Sequence, residues 1–183
     1  MRAKSAIFGV VFPVIIVLDL ITKRWALDAL AGGRRLDLLR GMRPCEYPDC
    51  LLALTLAFNR GAAFGIRIGD DSRWFFVPII VIAVVLLGML LVQARKDDML
   101  RAVSLSLVLA GAVGNLWDRV RWSRGVVDFI GPVNLGFTNF PIFNIADIAI
   151  TCGAALLAIS FWLEEREERR AGVAATETAP PSS

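Results

Sequence analysis

The sequence predicts an all-α membrane protein built on four transmembrane helices, and three observations carry that expectation. The chain is 56% hydrophobic with a mean hydropathy of +0.62, above an ordinary soluble domain. Trp74 to Val92, WFFVPIIVIAVVLLGMLLV, runs 19 residues without a charge or amide. At about 1.5 Å per residue it crosses most of a hydrocarbon core of roughly 30 Å. Three further apolar segments carry polar residues, which inside a bilayer face a bundle interior or a cavity because lipid cannot solvate them. Four helices, three of them polar on one side, make a bundle with a polar site. The 183 residues suit one domain, taken as 1–163, with a charged tail over 164–183.

In chain order, the first span is Ile7 to Leu27, apolar apart from Asp19, Thr22, Lys23 and Arg24. Arg2 and Lys4 before it and Ala29-Leu30-Ala31 after it also fit a cleaved signal peptide. The Asp19/Thr22/Lys23 cluster, which a discarded peptide does not need, favours a retained helix. The following loop carries Cys45 and Cys50 as Cys-x4-Cys, able to pair if the loop meets an oxidising compartment. Leu51 to Ala57 reads as a strand, too short to span, and runs into FNRGAAFG, Phe58 to Gly65, a Gly-rich turn carrying Asn59. This is either an ordinary hairpin or a backbone platform for an extended ligand. After the Trp74–Val92 span, the third runs Leu100 to Trp117 with Arg101, Ser104, Ser106 and Asn115. The fourth runs Ile142 to Trp162 with Asn144, Asp147, Thr151 and Ser160, and with Cys152 as a small apolar filler. The tail opens EEREERR, a solvated helix end, and closes ATETAPPSS, disordered by composition.

A net charge of +3 without a basic stripe interleaved with aromatics points to membrane-surface anchoring and away from nucleic acid. Four spans put both termini on one side, with eight of the 20 Lys and Arg; the others are spread over two longer loops. Short loops and flanks dominate charge-based orientation, which favours cytoplasmic termini. The absence of histidine removes Ser-His-Asp and Cys-His chemistry, and two thiols alone leave a zinc shell incomplete, so no metal and no cofactor are expected. What remains is carboxylates, amides, Lys and Arg.

These cluster where the third span ends and the fourth begins. Asn115, Asp118 and Arg119 share a helical face, and Asn144 and Asp147 repeat the Asn-x-x-Asp spacing. A single such pair reads as polar glue between helices. Two of them flanking one loop, with Asp128 inside it, point to a functional site. Asp128 and Asp147 sit among apolar neighbours with no adjacent cation, whereas Arg119 beside Asp118 tends to keep Asp118 ionised. Desolvation and a second carboxyl keep one member of such a pair protonated near neutral pH. The two can then act as general base and general acid on water. The residues alone leave two readings open: a peptidase, or a small ion-coupled carrier or binding protein using intramembrane carboxylates.

The motifs DLITK (Asp19 to Lys23), FNRGAAFG, AGAVGNLWDR (Ala110 to Arg119), GVVDFI (Gly125 to Ile130) and FNIAD (Phe143 to Asp147) resemble, in order, those of the lipoprotein signal peptidases, signal peptidase II. The likeness covers roughly residues 7 to 162, with Ala110 where the family usually has glycine. It implies four transmembrane helices with cytoplasmic termini and a small β-rich extracytoplasmic platform within residues 28–73. It implies a monomeric aspartic endopeptidase of the bacterial cell membrane, without cofactor, with its site near the extracytoplasmic surface. Its partners would be membrane lipids and prolipoproteins, cleaved before a diacylglyceryl-modified cysteine. By motif position the catalytic residues are Asp128 and Asp147. Asn59, Gly61, Asn115, Arg119, Asn144 and Ala146 line the substrate site, Asp118 is an ion-pairing support, and Asp19 with Lys23 is structural.

Overall fold

The computed structural model describes residues 2–46, 49–50, 52–61, 73–95, 97–134 and 138–177. Among the described residues, four helices are long and apolar enough to cross a membrane: α1 (Arg2–Ala29), α2 (Arg73–Gln93), α3 (Met99–Arg121) and α4 (Ile145–Glu177). The helix α4 continues past the expected span into the charged segment, where Arg169 pairs with Glu165 at 2.7 Å.

α3 is the central helix and packs against the other three. Glycines let α4 approach it closely. A Cβ on Gly111 would collide with the Ala146 carbonyl oxygen, and one on Gly153 would come within 2.8 Å of the Ser104 carbonyl oxygen. Polar residues inside the spans bond to their own helices: Ser104 Oγ donates to Leu100 O and Ser106 Oγ to Ala102 O, both at 2.6 Å. Such back-bonding removes the cost of an orphan hydroxyl in hydrocarbon. At the termini side, Lys4 Nζ donates to Val92 O near the end of α2 at 2.9 Å and to Ala94 O just past it at 2.8 Å. Arg101 joins α3 to Glu164 of α4. Val14, Ile21, Ile82, Val85 and Leu86 are exposed, the apolar surface a lipid-facing bundle presents. Cys152 is exposed as well, so it fills no core gap as the sequence suggested.

At the other end lies a four-stranded antiparallel sheet in the order β2-β1-β3-β4: β1 (Arg35–Asp37), β2 (Arg43–Pro44), β3 (Ala53–Asn59) and β4 (Val126–Ile130). Cys45 and Cys50 are disulfide-bonded beside it. A small hairpin, β5 (Val133–Asn134) with β6 (Asn139–Phe140), follows β4. Two expectations change here. The strand expected at Leu51 to Ala57 runs Ala53 to Asn59, so Asn59 ends a strand instead of sitting in a turn; Ala62 to Gly65 of that motif lie outside the described residues. The platform also extends beyond 28–73, because VVDFI, read as loop, is the strand β4 paired with β3. Leu54 and Phe129 of the sheet pack with Ala26 and Leu30 at the end of α1, with Trp25 and Ile145 at the margin. Trp25 meets the Phe129 ring edge-on at 6.3 Å. This small core fixes β4 over the junction of α1, α3 and α4.

Candidate active site

Asp128 reaches the site from the middle of β4, opposite Ala57 of β3, and is 2% exposed. The two strands come together tightly at Gly125, whose φ of +97° suits glycine and whose missing Cβ would collide with Asn59 O. Asp147 enters from α4. Asn144 caps that helix: its side-chain Oδ1 accepts from Asp147 N at 3.0 Å, while Asn144 N donates to Asp147 Oδ2 at 3.1 Å. This is a reciprocal capping box with aspartate at the third helical position. It also holds the Asp147 carboxylate in the first helical turn, where the helix dipole favours negative charge.

Two amides bridge the carboxylates. Asn144 Nδ2 donates to Asp128 Oδ1 at 2.7 Å and to Asn115 Oδ1 at 3.1 Å. Asn115 Nδ2, from α3, donates to Asp147 Oδ1 at 2.8 Å. Asp128 also accepts from the Asn59 side chain. Burial, reinforced by the charge of Asp147, pushes the Asp128 carboxyl up to about 6.

Beneath the pair lies a buried ion cluster. Lys23 Nζ, 3% exposed as a residue, sits 2.7 Å from Asp19 Oδ2, 3.0 Å from Asp118 Oδ2 and 3.1 Å from Asn115 Oδ1. Asp19 Oδ1 accepts from Ala146 N at 3.0 Å, and Asp118 Oδ2 accepts from Val127 N at 3.2 Å. The cluster thus ties α1 and α3 to the start of α4 and to β4. The partner of Asp118 is therefore Lys23 and not its neighbour Arg119, because adjacent side chains on a helix diverge.

Arg119 turns the other way. It donates to Gly61 O at 3.5 Å, lies in the field of Asp128, Asp147 and Asp118, and stacks over Phe76 of α2 at 5.8 Å. Gly61 N in turn donates to Asn59 Oδ1 at 3.2 Å. The eleven residues singled out from the sequence therefore converge on one end of the bundle. Ala146 is fully buried, its N–H on Asp19 and its carbonyl against Gly111. What the sequence reading missed is the link from Lys23 to Asn115 and Asp118, which lie 92 and 95 positions away and give no local signal. Among the described residues, no group of three His, Cys, Asp or Glu side chains could hold a metal ion.

Known proteins resemble this chain in sequence and in fold. The chain is 38% identical to a lipoprotein signal peptidase of Hydrogenovibrio crunogenus over 161 residues, 86% of this chain and 87% of that one. It is 36% identical to one of Clostridium tetani over 155 residues, 85% of this chain and 92% of that one. A bacterial membrane enzyme structure obtained by the in meso method at 1.9 Å superposes with a TM-score of 0.67 at 32% identity, covering 84% of this chain and 91% of that one. A second, at 2.3 Å, gives 0.69 at 30% identity, with 86% and 88% covered. Residues 11–163 match the family described as signal peptidase (SPase) II, and with that match and those identities the chain belongs to the signal peptidase II family.

Proposed function

We propose that this multi-pass membrane protein removes the signal peptide from prolipoproteins as an aspartic endopeptidase, with Asp128 and Asp147 as its catalytic pair. One observation carries the reading: two carboxylates, one on a strand and one on a helix, are cross-linked by Asn144 and Asn115 in a setting that raises Asp128 to about 6. The donors divide the labour. Asp147 accepts from Asn115 Nδ2 and the Asn144 backbone and lies at a helix N-terminus, so it holds the charge and takes a proton from water. Asp128, desolvated, carries the proton, polarises the scissile carbonyl and then protonates the leaving amine. Arg119, Asn59 and the Gly61 backbone hold the substrate chain beside β3. The acyl chains of a diacylglyceryl-modified cysteine stay in lipid while its peptide reaches the pair, which accounts for a site at the bundle end. The membership of the family leaves the ion-coupled carrier without support.

The test is incubation of the purified protein with a diacylglyceryl-modified prolipoprotein and with its unlipidated counterpart, following signal-peptide release. Cleavage before the modified cysteine, only in the lipidated substrate and undiminished by EDTA, is expected. Loss in EDTA with recovery on one added cation overturns the carboxylate pair as the sole machinery. Equal cleavage of the unlipidated protein overturns the substrate assignment.

A further inference from the structure

Lys23 carries a positive charge at a fully enclosed position and touches neither Asp128 nor Asp147. An ammonium has three hydrogens and no acceptor, and Lys23 Nζ faces three acceptors: Asp19 Oδ2 at 2.7 Å, Asp118 Oδ2 at 3.0 Å and Asn115 Oδ1 at 3.1 Å. A structural ion cluster would need only the two carboxylates. The third contact falls on an amide whose other end touches Asp147.

An asparagine amide has two faces, one accepting and one donating, and a half-turn about its last torsion exchanges them. At Asn115 the half-turn would put an amide N–H₂ against the Lys23 ammonium and against the Asn144 Nδ2 that now donates to Oδ1 at 3.1 Å. Both contacts would become donor against donor. We infer that Lys23 is a positioning residue for catalysis: it locks the Asn115 amide so that Nδ2, and never Oδ1, confronts Asp147. The lock matters because Asp147 changes protonation during turnover. Beside a free asparagine, a protonated Asp147 would find an acceptor as readily as the charged form finds a donor. Beside a locked one a donor always meets Asp147 Oδ1, a contact stronger to the carboxylate than to the neutral acid. This rests on the proposed role of Asp147.

The experiment is a double-mutant cycle, read as kcat and KM on a lipidated prolipoprotein with the full chain in lipid nanodiscs. Lys23→Gln replaces a pure donor by a group that both donates and accepts, leaving Asn144 Nδ2 as the remaining donor that holds the amide. Its kcat should fall roughly 10- to 100-fold, the scale of one hydrogen bond to a charged group, with KM within about two-fold. Asn115→Ala should lose a similar factor, and the double variant should be no slower than Asn115→Ala alone, because the lock has nothing left to hold. Independent, multiplying losses overturn the inference. Lys23→Gln leaves Asp19 and Asp118 without their cation, so Lys23→Gln/Asp118→Asn, which restores the cluster's net charge, is measured beside it. If kcat returns with the recovered melting temperature, Lys23 was structural only and the inference fails. Asp147→Asn in the same assay separates the two levels of argument. A fully active Asp147→Asn sinks the catalytic pair itself; a dead Asp147→Asn beside an unimpaired Lys23→Gln sinks only the lock.

Discussion

At the scale of single residues, the structure separates three aspartates by the partners it gives them. Asp118 is held by Lys23 and the Val127 N–H, whereas Asp128 and Asp147 share the amides of Asn144 and Asn115. Replacing Asp128 or Asp147 by Asn keeps size and most bonding but removes the proton or the base. Cleavage should fall by about three orders of magnitude or more for either, since the two act as a unit. Asp118→Asn should instead lower the melting temperature, with a smaller loss in kcat. A folded but inactive Asp118→Asn beside an active Asp128→Asn would move the pair to Asp118 and Asp147. Asp128 also carries a stability signature. Its carboxyl rises from 3.8 to about 6 on folding, so the native state binds the proton more tightly than the unfolded chain. The resulting stability is complete below the unfolded value and is lost as pH climbs toward 6. Two pH units correspond to about 3 kcal/mol. Asp128→Asn cannot titrate there, so its melting temperature should gain on the wild type between pH 4 and 6 and keep that margin above. A pH-independent difference would mean that burial does not perturb Asp128.

At the scale of elements, the site depends on how closely α4 approaches α3. Gly111 lies against the carbonyl of Ala146, one residue before Asp147. Gly111→Ala must push the first turn of α4 outward, moving both the Asn144 cap and the Asp147 carboxylate. A misplacement of this size costs on the order of 100-fold in rate. Gly88, in α2, has nothing within 4 Å of a would-be Cβ, so Gly88→Ala should keep its activity and gain a little helix stability. Equal behaviour of the two variants in cleavage and melting would rule out the close approach as a determinant. The elements also show where the sequence was legible. The spans were readable because lipid demands about 20 apolar residues in a row, and α2 and α3 end within a few residues of where hydropathy puts them. The strand β4 was not readable: VVDFI is five residues long, and what makes it a strand is pairing with β3, some 70 positions earlier. The aspartate it carries was nevertheless found, because a carboxylate between valines and a phenylalanine is unusual wherever the backbone goes.

At the scale of the whole molecule, polar structure lies at both ends of an apolar bundle, and the two ends differ in kind. One end carries loose surface charge: the Lys4 cap on α2, the exposed Arg95–Asp97 pair and the Glu165–Arg169 turn of α4. The other carries the sheet, the disulfide and the site. A disulfide persists in an oxidising compartment and is rare where thiols are kept reduced. The pairing of Cys45 with Cys50 therefore supports the orientation that charge counting only favoured, with the sheet outside and the termini in the cytoplasm. A reporter active only in the cytoplasm, fused after Ser183, should be active, and a reporter active only outside should work when inserted at Gly41. Gly41 suits the insertion because it lies exposed in the turn between β1 and β2, beyond the small core that seats β4. The thiols give an independent reading of the same question. A membrane-impermeant maleimide applied to intact cells should leave Cys45 and Cys50 unlabelled until an impermeant reductant is added, and should label them afterwards. Labelling of Cys45 and Cys50 without reductant, only after the cells are opened, together with an active outside-type reporter on Ser183, would invert the protein. The proposed pair, Asp128 and Asp147, would then face the cytoplasm, where exported prolipoproteins could not reach it.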